Sequence, residues 1–143
     1  MLLEDKVAIV TGVGPGLGQA TALAFAREGA AVGLAARNEE RLAEVAAEIE
    51  ALGGRSLPVP TDVTDPDACR HLVESTVGAF GGLDCVVNSA FCPDLNGPFE
   101  HVDLELWRGI LEVNLFGALH VAQAAIPHLR ERANASIVNV GSM

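Results

Sequence analysis

Tyrosine is absent from this sequence of 143 residues, and lysine occurs once, at Lys6. No phenol can therefore act as a proton donor here, and no ammonium group stands where it could tune one. Basic charge is scarce as well, with 9 Lys plus Arg against 19 Asp plus Glu and a formal net charge of −10. A surface that tracks nucleic-acid phosphates is excluded on that balance, so no nucleic-acid partner is expected. The three cysteines, Cys69, Cys85 and Cys92, are an odd number without Cys-x-x-Cys spacing. They make neither a disulfide framework nor a zinc knuckle, and they suit a reducing cytoplasm. Histidines at 71, 101, 120 and 128 share no ligand spacing, so no metal is expected. No apolar run approaches the roughly 20 residues that span a bilayer, and Met1-Leu2-Leu3-Glu4-Asp5 lacks the basic start of a signal peptide. The reading is a cytoplasmic protein with no membrane partner. Its length fits one domain, residues 1–143, without a separate substrate domain.

What the sequence does have is a strict alternation of short apolar runs with longer amphipathic stretches. Lys6 to Thr11, Ala31 to Ala36, Ser56 to Pro60, Leu83 to Asn88 and Ser136 to Val140 are nearly continuous in Val, Ile, Leu or Ala. Continuity of that kind marks strands buried on both faces, as in a parallel sheet. Between them the apolar residues recur at helical spacing. Helices are predicted over Leu17 to Glu28, over Glu39 to Leu52 with Leu42, Val45, Ala46 and Ile49 inward, and over Pro66 to Phe80 with Leu72, Val73, Val77 and Phe80 inward. Gly29 and Gly53-Gly54 follow helices, and Asp65-Pro66 offers an N-cap with proline at the first helical position. A further pair, about Asp103 to Glu112 and Val113 to Arg132, precedes the last strand. Leu115, Leu119, Ala122, Ile126 and Leu129 form a stripe on the second, and Trp107 reads as helix packing. Five strands with helical crossovers predict an α/β, Rossmann-type, doubly wound sheet of order 3-2-1-4-5, in three layers.

The sharpest local feature is Thr11-Gly12-Val13-Gly14-Pro15-Gly16-Leu17-Gly18, where the first strand must turn into the first helix. Without Cβ atoms, glycines let backbone amides approach a pyrophosphate at the positive end of that helix. In such sheets ligands bind beyond the carboxyl ends of the strands, where this loop falls. The plainer alternative is a tight turn that binds nothing. The spacing Gly12-x-x-x-Gly16-x-Gly18 differs from Gly-x-Gly-x-x-Gly, because Leu17 occupies the last position of a match begun at Gly12.

In that register the sequence closely resembles the short-chain dehydrogenase/reductase family, whose loop reads Thr-Gly-x-x-x-Gly-x-Gly. The resemblance continues in order through Asp62-Val63, Asn88-Ser89-Ala90, Asn114 within Glu112-Val113-Asn114-Leu115, and Ile137-Val138-Asn139-Val140-Gly141-Ser142. It implies coenzyme binding by Thr11, Gly12, Gly14, Pro15, Gly16, Leu17, Gly18, Asp62, Val63, Asn88, Ser89 and Ala90. It also implies a homodimer or homotetramer with the stripe of Leu115, Leu119, Ala122, Ile126 and Leu129 at the subunit contact, against the alternative of core packing. Asp62 corresponds to an aspartate that binds the adenine amino group, against the alternative of a turn or capping role. Thr64 or Asp65 suits the cap better.

An NAD site normally ends its second strand in an acid that bonds the ribose hydroxyls. Here the stretch reads Leu34-Ala35-Ala36-Arg37-Asn38, with Ala36 at that position and Arg37 next. A guanidinium there would pair with the 2′-phosphate of NADP(H), a charged contact of about 1.5 to 3 kcal/mol. NADP(H) is the expected cofactor, with NAD(H) the alternative; otherwise Arg37 is a solvated residue ahead of a helix.

At the reacting end, Asn88-Ser89-Ala90-Phe91 replaces the family's Asn-Asn-Ala-Gly, and Phe91 must turn away from backbone close to the ribose. Ser142 matches the catalytic serine that bonds the substrate oxygen of an alcohol/carbonyl pair. Asn114 matches an asparagine that interrupts a helix and holds a water in a proton relay. The family then requires Tyr-x-x-x-Lys, which these residues do not contain. The chain alone is expected to be inactive, and it reads as the front of a longer protein in preference to a non-catalytic nucleotide-binding module. An adenosyl-methionine methyltransferase, a further rival, is disfavoured by Arg37, Asn114 and Ser142.

Overall fold

The computed structural model describes residues 1–93 and 97–141. Its strands are β1 (Val7–Thr11), β2 (Ala31–Ala36), β3 (Arg55–Pro60), β4 (Cys85–Asn88) and β5 (Ser136–Asn139). All neighbouring strands are parallel, in the order β3-β2-β1-β4-β5. The predicted sheet is therefore present, with its strand ends moved by one or two residues.

Helices α1 (Leu17–Arg27), α2 (Glu39–Ala51) and α3 (Pro66–Phe80) carry the three crossovers that precede β4. Because β1 is covered on both sides, all five of its residues are buried. Alternate residues then feed two cores. Val10, Val32 and Leu34 pack with Ala22, Leu42, Val45 and Ile49 of α1 and α2, whereas Ile9, Ala31 and Ala35 pack with Leu72 and Val73 of α3 and with Val121 and Ala125. Asp65 caps α3 through its side chain on Asp67 N, and Pro66 opens the helix as its sequence requires.

From β4 the chain runs through a 3₁₀ turn (Phe99–His101) into α4 (Leu104–Leu111), a π-helical segment (Glu112–Gly117) and α5 (Ala118–Leu129). These last three join without a break, which corrects the expectation of two separate helices over about Asp103 to Glu112 and Val113 to Arg132. The joined helix, Leu104–Leu129, has 26 residues and a mean hydropathy of 1.4 over its most apolar window, so by length and composition it could cross a membrane. Scattered charges had hidden this from a search for unbroken runs. Its buried residues Val121, Ala125 and Leu129 instead join the α3 core. Of the stripe Leu115, Leu119, Ala122, Ile126 and Leu129, Leu129 is in the core, whereas Leu115, Leu119 and Ile126 are exposed; the neighbouring face of α5, with Val121 and Ala125, is the buried one. Trp107 is outside the core and meets Phe99 edge-on at 6.1 Å between ring centres.

Gly33 of β2 illustrates how tightly the α3 face is packed. A Cβ there would collide with Oγ1 of Thr76 and lie 3.1 Å from its methyl group. Gly33→Ala is expected to destabilise the fold by about 1–3 kcal/mol in a urea melt, as overpacking does. Adding Thr76→Ala should recover part of that loss, whereas strictly additive losses would show that the clash is not the cause.

Candidate functional site

Order β3-β2-β1-β4-β5 reverses direction between β1 and β4, so the carboxyl ends of these two strands form the switch point of the sheet. Val10 of β1 is level with Val87 of β4, which sets Thr11-Gly12 beside Asn88-Ser89. The buried Thr11 hydroxyl accepts from the backbone N–H groups of Ser89 and Ala90 at 3.1 and 3.2 Å. Gly12, at φ +69°, lies so close to this turn that a Cβ would sit 2.5 Å from the Ser89 carbonyl oxygen and 2.6 Å from Ala90 Cα. Gly18 similarly abuts the carbonyl of Gly12. These two glycines are required by the fold itself.

Gly14 and Gly16 are different. Where a Cβ would project from either, nothing lies within 4 Å. Gly16 is the N-cap of α1, in a conformation (φ +115°, ψ −135°) that L side chains rarely adopt, and it contributes no capping side chain. No acidic residue occupies the first turn of α1. By contrast, Asn38, Asp65 and Asp103 cap α2, α3 and α4, and each of those helices carries an acid in its first turn. The amides and positive dipole end of α1 are thus left for an external anion, over an open glycine cradle that suits a diphosphate. Pro15 and Leu17 are exposed beside it.

At the end of β2, Ala36 is half-buried and Arg37 is exposed, and Arg37 enters no ion pair among the described residues. Across β3, Asp62 accepts from both the N–H and the hydroxyl of Thr64, at 2.9 and 2.7 Å. Those bonds, reinforced by the charge of Arg37, hold its carboxyl below the usual range. Both engage Oδ1, so the turn role considered in the sequence is real. Val63 is buried, and its carbonyl accepts from His120 Nδ1 at 2.8 Å. Gly117 of the π segment lies where a Cβ would strike the Val63 side chain. The loop after β3 is therefore tied to the helix after β4. Cys69, beneath the same loop, has its thiol pushed up to about 11 by burial and by Asp65 and Asp62.

Asn88, 6% exposed, donates through Nδ2 to Oδ1 of Asn139 at 2.9 Å and reaches the Ala118 carbonyl at 3.4 Å. Its own Oδ1 is buried without a partner among the described residues. A cavity of about 40 Å³, lined by Thr11, Asn88, Ala90, Asn114, Ala118, Asn139 and Val140, adjoins it and has room for a water molecule. Asn114 sits inside the π segment, so the helix is interrupted where the resemblance placed it. Its side chain clamps Cys92, accepting from that residue's N–H at 2.7 Å and donating to its carbonyl at 3.0 Å. Phe91, 67% exposed, turns outward as its bulk demanded. Ser142 lies outside the described residues. Sequence reasoning missed Asn139, whose alternation inside an apolar strand resembled any other strand-end residue, and the Asn114–Cys92 clamp, for which no local pattern exists.

The short chain dehydrogenase family model matches residues 6–143. An uncharacterized oxidoreductase of Staphylococcus aureus is 39% identical over 142 residues, covering 99% of this chain and 60% of its own length. The chain thus spans about 60% of the length of such curated relatives. Among solved structures, a metagenomic short-chain oxidoreductase in complex with NADP superposes with a TM-score of 0.93 at 31% identity, covering 100% of this chain and 65% of the other. NAD+-bound xylitol dehydrogenase gives 0.93 at 32% identity, covering 97% and 54%.

Gly12→Ala is expected to cost more than about 2 kcal/mol in denaturant melts, whereas Gly14→Ala should stay within about 0.5 kcal/mol of wild type. Equal costs would contradict the open cradle. For Asp62, the lowered carboxyl means a contribution to stability that is present above the ordinary carboxylate pKa near 4 and fades as pH falls through the lower folded value. Asp62→Asn should therefore melt below wild type at pH 7 and converge with it near pH 2; a constant gap across that range would refute the assignment.

Proposed function

Since the chain belongs to the short-chain dehydrogenase family, we propose that it forms the coenzyme-binding part of an NADP(H)-dependent oxidoreductase that interconverts an alcohol and a carbonyl. The observation that carries this reading is the uncapped, acid-free N-terminus of α1 above the open faces of Gly14 and Gly16. When bound there, a nicotinamide coenzyme would supply or accept the hydride.

In this reading, the amides that open α1, from Gly16 to Gly18, hold the diphosphate, since Pro15 has no N–H and those of Val13 and Gly14 are spent on Ala35 and Gly12, with Thr11 fixing the turn of Ser89 and Ala90 against them. Asp62 Oδ2 and the Val63 backbone border the adenine, and Asn88 supports the strand end beneath the nicotinamide ribose. Relatives of this fold are solved with NADP and with NAD+. The choice here is assigned to the end of β2, where Ala36 removes a carboxylate that would repel a 2′-phosphate and unpaired Arg37 attracts one. Overall negative charge opposes this only weakly, since distant acids are screened over about 8 Å.

Ser142 is assigned to the substrate oxygen and Asn114 to holding the loop that borders it. These 143 residues contain no tyrosine and no lysine beyond Lys6. Proton transfer at the substrate oxygen is therefore assigned to residues outside them, and the chain alone is proposed to bind coenzyme without turnover. That same lack favours, as the second reading, a non-catalytic nucleotide-binding module. A cytoplasmic homo-oligomer is proposed, with the outward Leu115, Leu119 and Ile126 as its contact face.

Fluorescence titration of the folded chain with NADPH and NADH tests the proposal. NADPH should bind more tightly, and Arg37→Ala should weaken it by about ten- to a hundredfold while sparing NADH. Absence of a saturable signal, equal affinities in the wild type, or an Arg37→Ala variant with unchanged preference would each overturn it. Oxidation of NADPH by the 143-residue chain with a carbonyl compound would overturn the claim that it cannot turn over alone.

A further inference from the structure

One side chain near the coenzyme groove is held in a way the fold does not require. Arg41 lies one turn into α2, where Asn38 Oδ1 accepts from its backbone N–H at 3.0 Å. Its guanidinium crosses to α1, donating through Nη2 to Oε1 of Gln19 and through Nη1 to Oε2 of Glu44 at 2.7 Å. Gln19 is the residue directly after Gly18, and Glu48 Oε1 holds its amide from the other side at 2.9 Å. Arg41 thus rests between the N-terminal turns of α1 and α2. Yet its Nε–H is buried with no acceptor among the described residues. A fork of five donors is left incomplete on a guanidinium that reaches the first turn of α1, directly after the glycine loop.

We propose that Arg41 is a second cation for the 2′-phosphate, exchanging Gln19 and Glu44 for phosphate oxygens and closing a clamp with Arg37. The proposal rests on the NADP(H) reading given above. Arg37 directly precedes the N-cap Asn38 and Arg41 is three residues after it, so both belong to the turn that opens α2 beyond β2. Glu39 and Glu40, in the first turn of α2, set two negative charges beside that phosphate, which itself carries between one and two at neutral pH. One guanidinium does not offset all of them. The glycine loop cannot help, because residues 11–18 include no basic side chain, and Arg27 stands at the far end of α1. Glu44 is 60% exposed, so the ion pair that Arg41 gives up when it turns is a solvated one; the bond to Gln19 is exchanged for a charged acceptor, and the Nε edge gains the acceptor it lacks.

NADPH and NADH titrations at fixed ionic strength on the 143-residue chain separate the possibilities. Arg41→Ala is expected to weaken NADPH binding by roughly tenfold and to leave NADH within about twofold. Its NADPH affinity should also fall less steeply with added salt than that of the wild type. Equal weakening of both coenzymes would assign Arg41 to helix packing alone and overturn the proposal, as would no change in either. If Arg37→Ala abolishes the preference for NADPH and Arg41→Ala preserves it, the Arg37 reading stands and the clamp falls. A wild type without preference removes both. Arg41→Met keeps the aliphatic stem between α1 and α2, and it must show the same selective loss should Arg41→Ala fail to fold.

Discussion

The contact on which the site depends is one of bare backbone on backbone. Gly12 meets Ser89 and Ala90 at a distance that excludes any Cβ, and the Thr11 hydroxyl locks the same turn by accepting two of its amides. Two half-sheets that wind in opposite directions are thereby welded at their carboxyl ends. The crevice above them is a property of this weld. Widening it by one methyl group would separate the diphosphate cradle from the strand end that carries Asn88.

Electrostatics is distributed to match. Most helix starts in this chain are satisfied from within, by Asn38, Asp65 and Asp103 and by the acids that follow them. The start of α1 is not. A protein with a net charge of −10 can still attract an anion, because the field that matters acts over a few ångströms and is made of oriented amides and guanidinium groups. Glu39, Glu40, Asp65, Asp67, Asp103 and Glu105 sit at the starts of α2, α3 and α4 instead.

Much of this was legible in the sequence, and the reasons are physical. Continuous apolar strands such as Val7–Thr11 announce burial on both faces, and Asp65-Pro66 announces a helix start, because each signal is set by its own neighbours. The glycine register located the cradle for the same reason. What local pattern does not encode is which face of an apolar helix the rest of the fold takes. In α5, Leu119 and Ile126 share an apolar stripe and are exposed, while Val121 and Ala125 on the adjoining face are buried, and both faces are apolar enough to serve. Pairings across the fold are equally silent. Nothing near Asn114 specifies Cys92, nothing near Asn139 specifies Asn88, and the hold of Arg41 on Gln19 appears only when α1 and α2 are side by side.

One rim of the sheet is chemically marked. Thr61 N–H bonds inward to Ala36, so along β3 the alternate positions, including Pro58 and Pro60, turn their nitrogens outward. Proline nitrogen has no hydrogen to offer, so two successive outward positions of that rim present no donor, and a foreign strand laid along β3 would find its carbonyls unanswered there.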